Sequence, residues 1–97
     1  MIRHIAMFKF NEDADEDSRA ALIESMDMLA EAIPQIVTMR HGADLGFREG
    51  NFDYGVVVDF ATSEDYRAYS EDPVHREMIA TRLRPIISDR AAIQFRY

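Results

Sequence analysis

The sequence predicts an α+β fold of the ferredoxin-like type, in which a four-stranded antiparallel sheet carries helices on one face. Three segments alternate between apolar and other residues, as strands do, and a fourth is rich in β-branched residues. Two helical regions separate these strands in the order β-α-β-β-α-β. Right-handed crossovers applied to this order give the ferredoxin-like arrangement. At this length we expect one domain over residues 1–97.

The first half of the chain holds a strand, a helix and a second strand. Residues 2–10, IRHIAMFKF, alternate and predict the first strand. Acidic residues at positions 13–17 suit a helix N-terminus, and the helix ends before Pro34. Residues 35–45 predict the second strand. The apolar stripe of the helix recurs at helical spacing in Leu22, Met26, Leu29 and Ile33.

The second half begins with FDYGVVVDF at 52–60, which alternates and predicts the third strand. Thr62 or Ser63 caps a short helix that ends at Asp72-Pro73, where a further helix begins. Residues 91–97, AAIQFRY, alternate again and predict the last strand. The side chains that share one side of the final helix are His75, Met78, Ile79 and Leu83.

Both faces of the predicted sheet are expected to be covered. The face of the sheet away from the helices has Ile5, Met7 and Val57 near its centre and charges of both signs at its edges, which is typical of an interface. We therefore expect two sheets to stack through this face in a symmetric homodimer, the alternative being an exposed sheet with scattered apolar residues. Of the two alternating sets of strand side chains, the one with more hydrophobic residues is expected to face the helices. It comprises Phe8, Phe10, Tyr54, Val56, Val58, Phe60, Ile93 and Phe95.

Composition excludes several classes of function. The formal charge of −7 disfavours nucleic acid and anionic membrane surfaces as partners. Arg82, Arg84 and Arg90 have acidic neighbours and are expected on a solvated face. The chain has no cysteine and no apolar run that suits a signal peptide or a membrane span, so we expect a cytoplasmic protein. The histidines lack ligand-like spacing, and we expect neither a metal nor a cofactor.

Several motifs in order resemble the stress-responsive dimeric α/β barrel (Dabb) family, and the similarity runs from end to end. They are IRHIAMFKF, AEAIP at the end of the first helix, DYGVVVDF, DPVH at 72–75 and the closing LRPIISDRAAIQFRY. The resemblance implies ferredoxin-like protomers that pair sheet to sheet, in agreement with the interface expected above.

A similar group, the plant polyketide cyclases that close olivetolic acid, implies a site between sheet and helices. Two histidines and a tyrosine of that pocket match His4, Tyr69 and His75, and they serve an aldol-type ring closure. Met26 and Ala6 stand where the cyclases have a tyrosine and an isoleucine, which implies a cavity of different shape and polarity. We expect the pocket to be lined by Ala6, Phe8, Ile23, Met26, Met78 and Ile79.

Two hypotheses remain open for function. In the first, a cofactor-independent lyase, cyclase or isomerase uses His75 as base, assisted by Tyr69 and His4, on a carbonyl-bearing substrate. It requires a ligand-sized cavity that all three side chains reach. In the second, a non-catalytic dimer binds a small apolar ligand or another protein. It requires a filled cavity, or histidines fully bonded to the backbone.

Overall fold

The computed structural model describes residues 1–97. A π-helical turn at Ile79–Leu83 and a 3₁₀ turn at Arg84–Ile86 connect the last helix to the last strand. The elements in chain order are β1 (Ile2–Phe10), α1 (Glu16–Ala32), β2 (Ile36–Ala43), β3 (Tyr54–Phe60), α2 (Ser63–Glu71), α3 (Pro73–Met78) and β4 (Ile87–Arg96).

The four strands form one sheet in the order β2-β3-β1-β4, and every neighbouring pair is antiparallel. This arrangement confirms the predicted ferredoxin-like fold. Because β1 lies between β3 and β4, it sets the register of both: His4 lies opposite Val58 on one side and opposite Gln94 on the other.

Each helix begins at a side chain that accepts a hydrogen bond from the backbone. The Asp15 carboxylate accepts from Ser18 N–H at 2.8 Å, and Thr62 Oγ1 accepts from Asp65 N–H at 3.1 Å. Asp72 accepts from Val74 N–H at 2.9 Å, with Pro73 in the first turn of α3. Such caps stabilise a helix by about 1 kcal/mol each. None of the helices is both long and apolar enough to cross a bilayer.

The hydrophobic core lies between the sheet and the helices. It is built by the apolar stripe of α1, by α2 and the segment after it, and by the inward residues of β1 and β3. Truncating one of the large side chains buried in such a core costs on the order of 2–5 kcal/mol. The most deeply buried side chains are Phe60, Leu22, Met26, Leu29, Ile33, Leu83 and Val58.

The strand β4 presents to the helices the opposite set of side chains from the one predicted. Ile93 and Phe95 lie opposite Ile5 and Arg3 of β1, and they are 57% and 42% exposed. Residues directly opposite each other in an antiparallel pair project to the same face. The prediction that Ile93 and Phe95 meet the helices is therefore wrong, and both belong to the outer face of the sheet.

The boundaries of the strands also differ from the predicted ones. β4 begins at Ile87, four residues before the predicted position 91, because its pairing with β1 continues through a register shift at Lys9 and Phe10. β3 begins at Tyr54 rather than at residue 52, and β2 covers 36–43 rather than 35–45. Ser88, Asp89 and Arg90 carry no apolar alternation, so the sequence pattern did not reveal this part of β4.

One end of the outer face carries a charged cluster. Arg3 donates through Nε and Nη2 to the two carboxylate oxygens of Asp59 at 2.8 and 2.9 Å, and Thr38 Oγ1 donates to the same carboxylate at 3.0 Å. The hydrogen bonds from Arg3 are the main cause that lowers the pKa of Asp59 to about 2. These polar neighbours, rather than the core, cover the carboxylate.

Candidate functional site

A cavity of about 480 Å³ lies between the sheet and the helices. Residues of all four strands, of the three helices and of the turn after α3 line it, and thirteen of the nineteen lining residues are hydrophobic. This volume and this mostly apolar wall are typical of small-molecule sites. The other six lining residues are His4, Ser70, His75, Arg76, Arg84 and Arg90, and two of the thirteen, Tyr66 and Tyr69, carry a hydroxyl group.

The break between α2 and α3 brings an aromatic pair together at this cavity. The backbone N–H of Asp72 bonds to the carbonyl of Tyr69, and the Asp72 side chain then caps α3. Tyr69 and His75 consequently pack with their ring centroids 4.2 Å apart and their planes tilted by 39°. His4 approaches from β1, with its ring centroid 6.2 Å from that of Tyr69 and 5.5 Å from that of Tyr66.

His4 is a neutral hydrogen-bonding group at neutral pH. Burial is the main cause that lowers its pKa from 6.5 to about 4, and the charges of Arg90 and His75 act in the same direction. The side-chain amide of Gln94 donates to His4 Nδ1 at 2.9 Å. This bond leaves the ring proton on Nε2, so the imidazole donates from that atom.

His75 has an unused hydrogen-bonding atom. Its Nδ1 is buried without a partner. Burial is the main cause that lowers the pKa of the imidazole below its ordinary value. The backbone of Ser70 and the carboxylate of Asp72 oppose this shift, although Ser70 completes no hydrogen bond to Nδ1. The ring is therefore a free base near pH 7.

Tyr69 is a protonated hydroxyl in an apolar setting. Burial, followed by the nearby Tyr66, raises the pKa of its phenol, and Arg90 acts in the opposite direction. Its ring packs on Phe60 with centroids 5.0 Å apart, which holds it in place. A buried phenol of this kind can donate a hydrogen bond to a carbonyl oxygen.

A family model described as the stress responsive A/B barrel domain matches residues 2–97. The chain belongs to this family. Comparison with curated proteins finds no match.

Solved structures share the A/B barrel fold over nearly the whole chain. A dimeric ferredoxin-like protein of unknown function from Thermobifida fusca is 39% identical, with a TM-score of 0.89 over 97% of this chain and 88% of that one. A Dabb family protein from Mesorhizobium loti is 17% identical, with a TM-score of 0.84 over 99% and 95%. Hydroxynitrile lyase from Passiflora edulis is 18% identical, with a TM-score of 0.86 over 97% and 90%. At the two lower identities the similarity extends to the fold alone.

In this A/B barrel domain, His4, Tyr69 and His75 all line the cavity, together with most of the residues expected around them. Ile23 does not line it. It flanks the buried stripe of α1 and is 37% exposed, because the neighbouring positions Leu22 and Met26 point inward instead. The expected residues that do line the cavity are Ala6, Phe8, Met26, Met78 and Ile79.

Sequence reasoning missed several polar groups at the site. Arg84 and Arg90 are exposed, as expected of a solvated face, but they also line the cavity; Arg82 is exposed and does not line it. Arg90 lies on the inner face of the sheet because it is opposite Phe8 in the β1–β4 pairing, and its side chain stays exposed. Gln94, which fixes the tautomer of His4, follows from the same register. The alternation of β4 carries no signal for Arg90 or Gln94, because only the pairing with β1 shows that they share the inner face with Phe8 and His4.

The residues expected at the dimer interface, Ile5, Met7 and Val57, lie on the outer face, away from the cavity. The pairing β1–β3 places Ile5 opposite Val57 and Met7 opposite Gly55. Ile93 lies beside Ile5 on the other side. The outer face therefore carries a larger apolar centre than the sequence indicated.

Proposed function

We propose that this protein is a homodimeric enzyme that transfers a proton next to the carbonyl group of a small molecule and needs no cofactor. The observation that supports this most is the convergence of Tyr69, His75 and His4 on one ligand-sized, mostly apolar cavity. The Nδ1 atom of His75 has no hydrogen-bond partner within the chain, so no other group of the protein holds the imidazole in a fixed protonation state.

In the proposed reaction His75 acts as the base. Its neutral imidazole takes a proton from the carbon beside the carbonyl, and the electron pair of the C–H bond moves to the carbonyl oxygen to form an enolate. The Tyr69 hydroxyl and His4 Nε2–H donate hydrogen bonds to this oxygen, where the negative charge develops. Both donors are neutral before the reaction because burial disfavours their charged forms.

The imidazolium of His75 then returns its proton. It goes to a carbon of the enolate in an isomerisation, or to the alkoxide that forms when the enolate adds to a second carbonyl group in a cyclisation. Either step restores neutral His75 and consumes no further reactant. Chains named as enzymes, such as the Passiflora edulis hydroxynitrile lyase, have this fold, so catalysis is compatible with it.

A non-catalytic dimer that binds a small apolar ligand is the second candidate, although the filled cavity or backbone-bonded histidines expected for it are absent. The lowered pKa of His75 favours it, because a weaker base removes a carbon-bound proton more slowly. In this candidate Tyr69 and the two histidines position a ligand and leave its covalent bonds unchanged.

The dimeric part of the proposal is supported by the outer face of the sheet. Met7 is 41% exposed and Ile93 57% exposed at the centre of this face, beside Ile5 and Val57. An apolar centre with a charged rim, here Arg3 and Asp59, is typical of interfaces. The 39% identical Thermobifida fusca protein is described as dimeric, which supports the same assembly here.

The catalytic proposal predicts that the protein exchanges a carbon-bound proton. Benzylacetone, a small aromatic ketone, is incubated with the protein in D₂O, and deuterium incorporation beside the carbonyl is followed by NMR. His75→Gln is expected to slow protein-dependent exchange by about 10²-fold or more, because the general base is lost. Tyr69→Phe keeps the ring packing and is expected to slow exchange less.

Arg82→Gln is the control variant, since Arg82 is exposed and lies outside the cavity lining. It is expected to exchange the proton at the wild-type rate. Wild-type exchange at the rate of the buffer would falsify the catalytic role. If benzylacetone still binds in that case, as measured by calorimetry, the non-catalytic candidate is favoured.

A further inference from the structure

The charge around the cavity is opposite to the charge of the chain. The sequence has 18 acidic residues against 11 lysines and arginines. The cavity lining nevertheless includes Arg76, Arg84 and Arg90 and contains no aspartate or glutamate. A lining that excludes acidic side chains from so acidic a protein creates a locally positive site within a negative surface.

Arg90 lies close to the three residues of the proposed reaction. It projects from the inner face of β4, opposite Phe8. Burial is the first cause of the pKa shifts of His4, Tyr69 and His75, but the positive charge of Arg90 also lowers the pKa of all three. Its charge therefore acts on the same space as their polar groups.

None of the three arginines is neutralised within the chain. The one guanidinium–carboxylate pair of the structure joins Arg3 to Asp59 on the other side of the sheet. No carboxylate lies within ion-pairing distance of Arg76, Arg84 or Arg90, and none of them donates a side-chain hydrogen bond in the chain. Their planar donor groups remain available to a ligand.

We propose that the ligand of this cavity carries a carboxylate on an apolar body, and that Arg90 binds the carboxylate while Arg84 and Arg76 add attraction. The inference rests on the proposed use of the cavity as a ligand site and narrows the substrate class to carbonyl compounds that are also acids. The apolar walls take the body of the molecule. The guanidinium fork matches a carboxylate with two parallel hydrogen bonds.

Two probes that differ only in charge test this inference. γ-Benzoylbutyrate carries a ketone, an aromatic ring and a carboxylate, and γ-benzoylbutyramide replaces the carboxylate by a neutral amide of the same shape. Calorimetry is expected to give a Kd at least about tenfold lower for the acid, the factor that one charge-assisted hydrogen bond supplies. Arg90→Gln is expected to remove this preference, because it raises the Kd of the acid more than the Kd of the amide.

Arg82→Gln is the matched control, because it removes the same charge two residues from Arg84 without touching the cavity lining. It is expected to keep the preference for the acid. Equal Kd values for acid and amide in the wild type overturn the inference, and so does a loss of preference as large in Arg82→Gln as in Arg90→Gln. Failure of both probes to bind overturns it as well.

The binding test and the proton-exchange test can give different results, and each combination has its own interpretation. A protein that prefers γ-benzoylbutyrate through Arg90 but exchanges no proton supports the inference and leaves only the non-catalytic candidate. A protein that exchanges the proton of benzylacetone yet binds acid and amide equally has the proposed activity and contradicts the proposed ligand class.

Discussion

His4, Tyr69 and His75 illustrate what burial does to single residues at this site. Each contacts apolar neighbours, and each has its pKa shifted mainly by burial toward the neutral form. The cavity at neutral pH therefore holds a free imidazole base, a protonated phenol and a neutral imidazole donor. The charged side chains that line the cavity are those of Arg76, Arg84 and Arg90.

We predict that the protein loses stability between pH 6.5 and pH 4. The unfolded chain protonates His4 near pH 6.5, whereas the folded chain does so only near pH 4, so the unfolded state binds more protons in this window. The free energy of unfolding is expected to fall by about 1–3 kcal/mol from this histidine as the pH is lowered. Urea unfolding at pH 7 and pH 4.5 measures the difference.

His4→Asn is the comparison for that prediction, because the asparagine oxygen can still accept from Gln94 and does not titrate. Its stability is expected to change less with pH in the same window. Asp59 titrates lower, with a pKa of about 2, and so contributes only below this range. An equally steep decline in His4→Asn contradicts the assignment.

Part of the site could be predicted at the residue level. The alternation of β1 places His4 inward, and the helical phase of α3 does the same for His75. Gln94 and Arg90 could not be assigned in this way, because their direction depends on the pairing of β4 with β1. Polar residues carry no hydrophobic signal, so alternation alone cannot show which way they project.

Among the elements, α1 and the sheet are joined by a polar connection outside the cavity. His41 of β2 bonds through Nδ1 to the hydroxyl of Tyr54 on β3 and through Nε2 to the carboxylate of Asp27 on α1, each at 2.6 Å. Tyr54 is buried, whereas the Asp27 side chain is 68% exposed. Burial raises the pKa of the Tyr54 phenol, and the charge of Asp27 adds to this shift.

We predict that the two ends of this connection differ in their contribution to stability. Tyr54→Phe is expected to lower the free energy of unfolding by about 1–2 kcal/mol, because it leaves a nitrogen of His41 without its partner in a mostly covered site. Asp27→Asn is expected to have a smaller effect, below about 1 kcal/mol, since water screens the exposed carboxylate.

Urea unfolding of the two variants and of their double mutant measures both effects and their coupling. A larger loss in Asp27→Asn than in Tyr54→Phe would contradict the prediction.

The order of elements could be predicted because the spacing of apolar residues differs between the two kinds of element. These residues alternate in strands and recur every three or four residues in a helix. The alternating segments became β1, β3 and β4, and the stripe of α1 ends before Pro34 as expected. The face that β4 turns to the helices could not be predicted from hydrophobicity, since an edge strand follows the register of its neighbour. Its richer side, with Ile93 and Phe95, faces outward.

At the scale of the whole molecule, the outer face of the sheet is the surface through which we expect two copies to pair. Gly55 lies opposite both Met7 and Gly42, and a Cβ added at either glycine would meet no atom within 4 Å. The protomer therefore leaves open space beside Met7 at the centre of an apolar surface. A second copy stacked on this face would fill that space and cover Ile5 and Ile93.

We predict that Met7→Asp yields a monomer where the wild type is a dimer, because a buried unpaired charge at the interface is costly. Gly55→Val is expected to weaken the dimer as well without unfolding the protomer, since its branched side chain suits a strand and has free space there. Light scattering reports the mass of each variant, and circular dichroism reports its fold.

Met28→Asp is the matched control, because Met28 is 60% exposed on α1, away from the outer face. It is expected to remain dimeric. A monomeric wild type, or a dimer that survives both Met7→Asp and Gly55→Val, would exclude pairing through this face.

The π-helical turn after α3 has a consequence for the lining of the cavity. The N–H of Arg84 bonds to the carbonyl of Ile79, five residues back, whereas an α-helix would use Ala80. A turn of this kind holds one residue more than an α-helical turn, so the segment after it is rotated by about 100° relative to a continuous α-helix. The extra residue therefore helps to set which side chains here face the ligand space, and Ile79, Ala80, Leu83 and Arg84 are the ones that do.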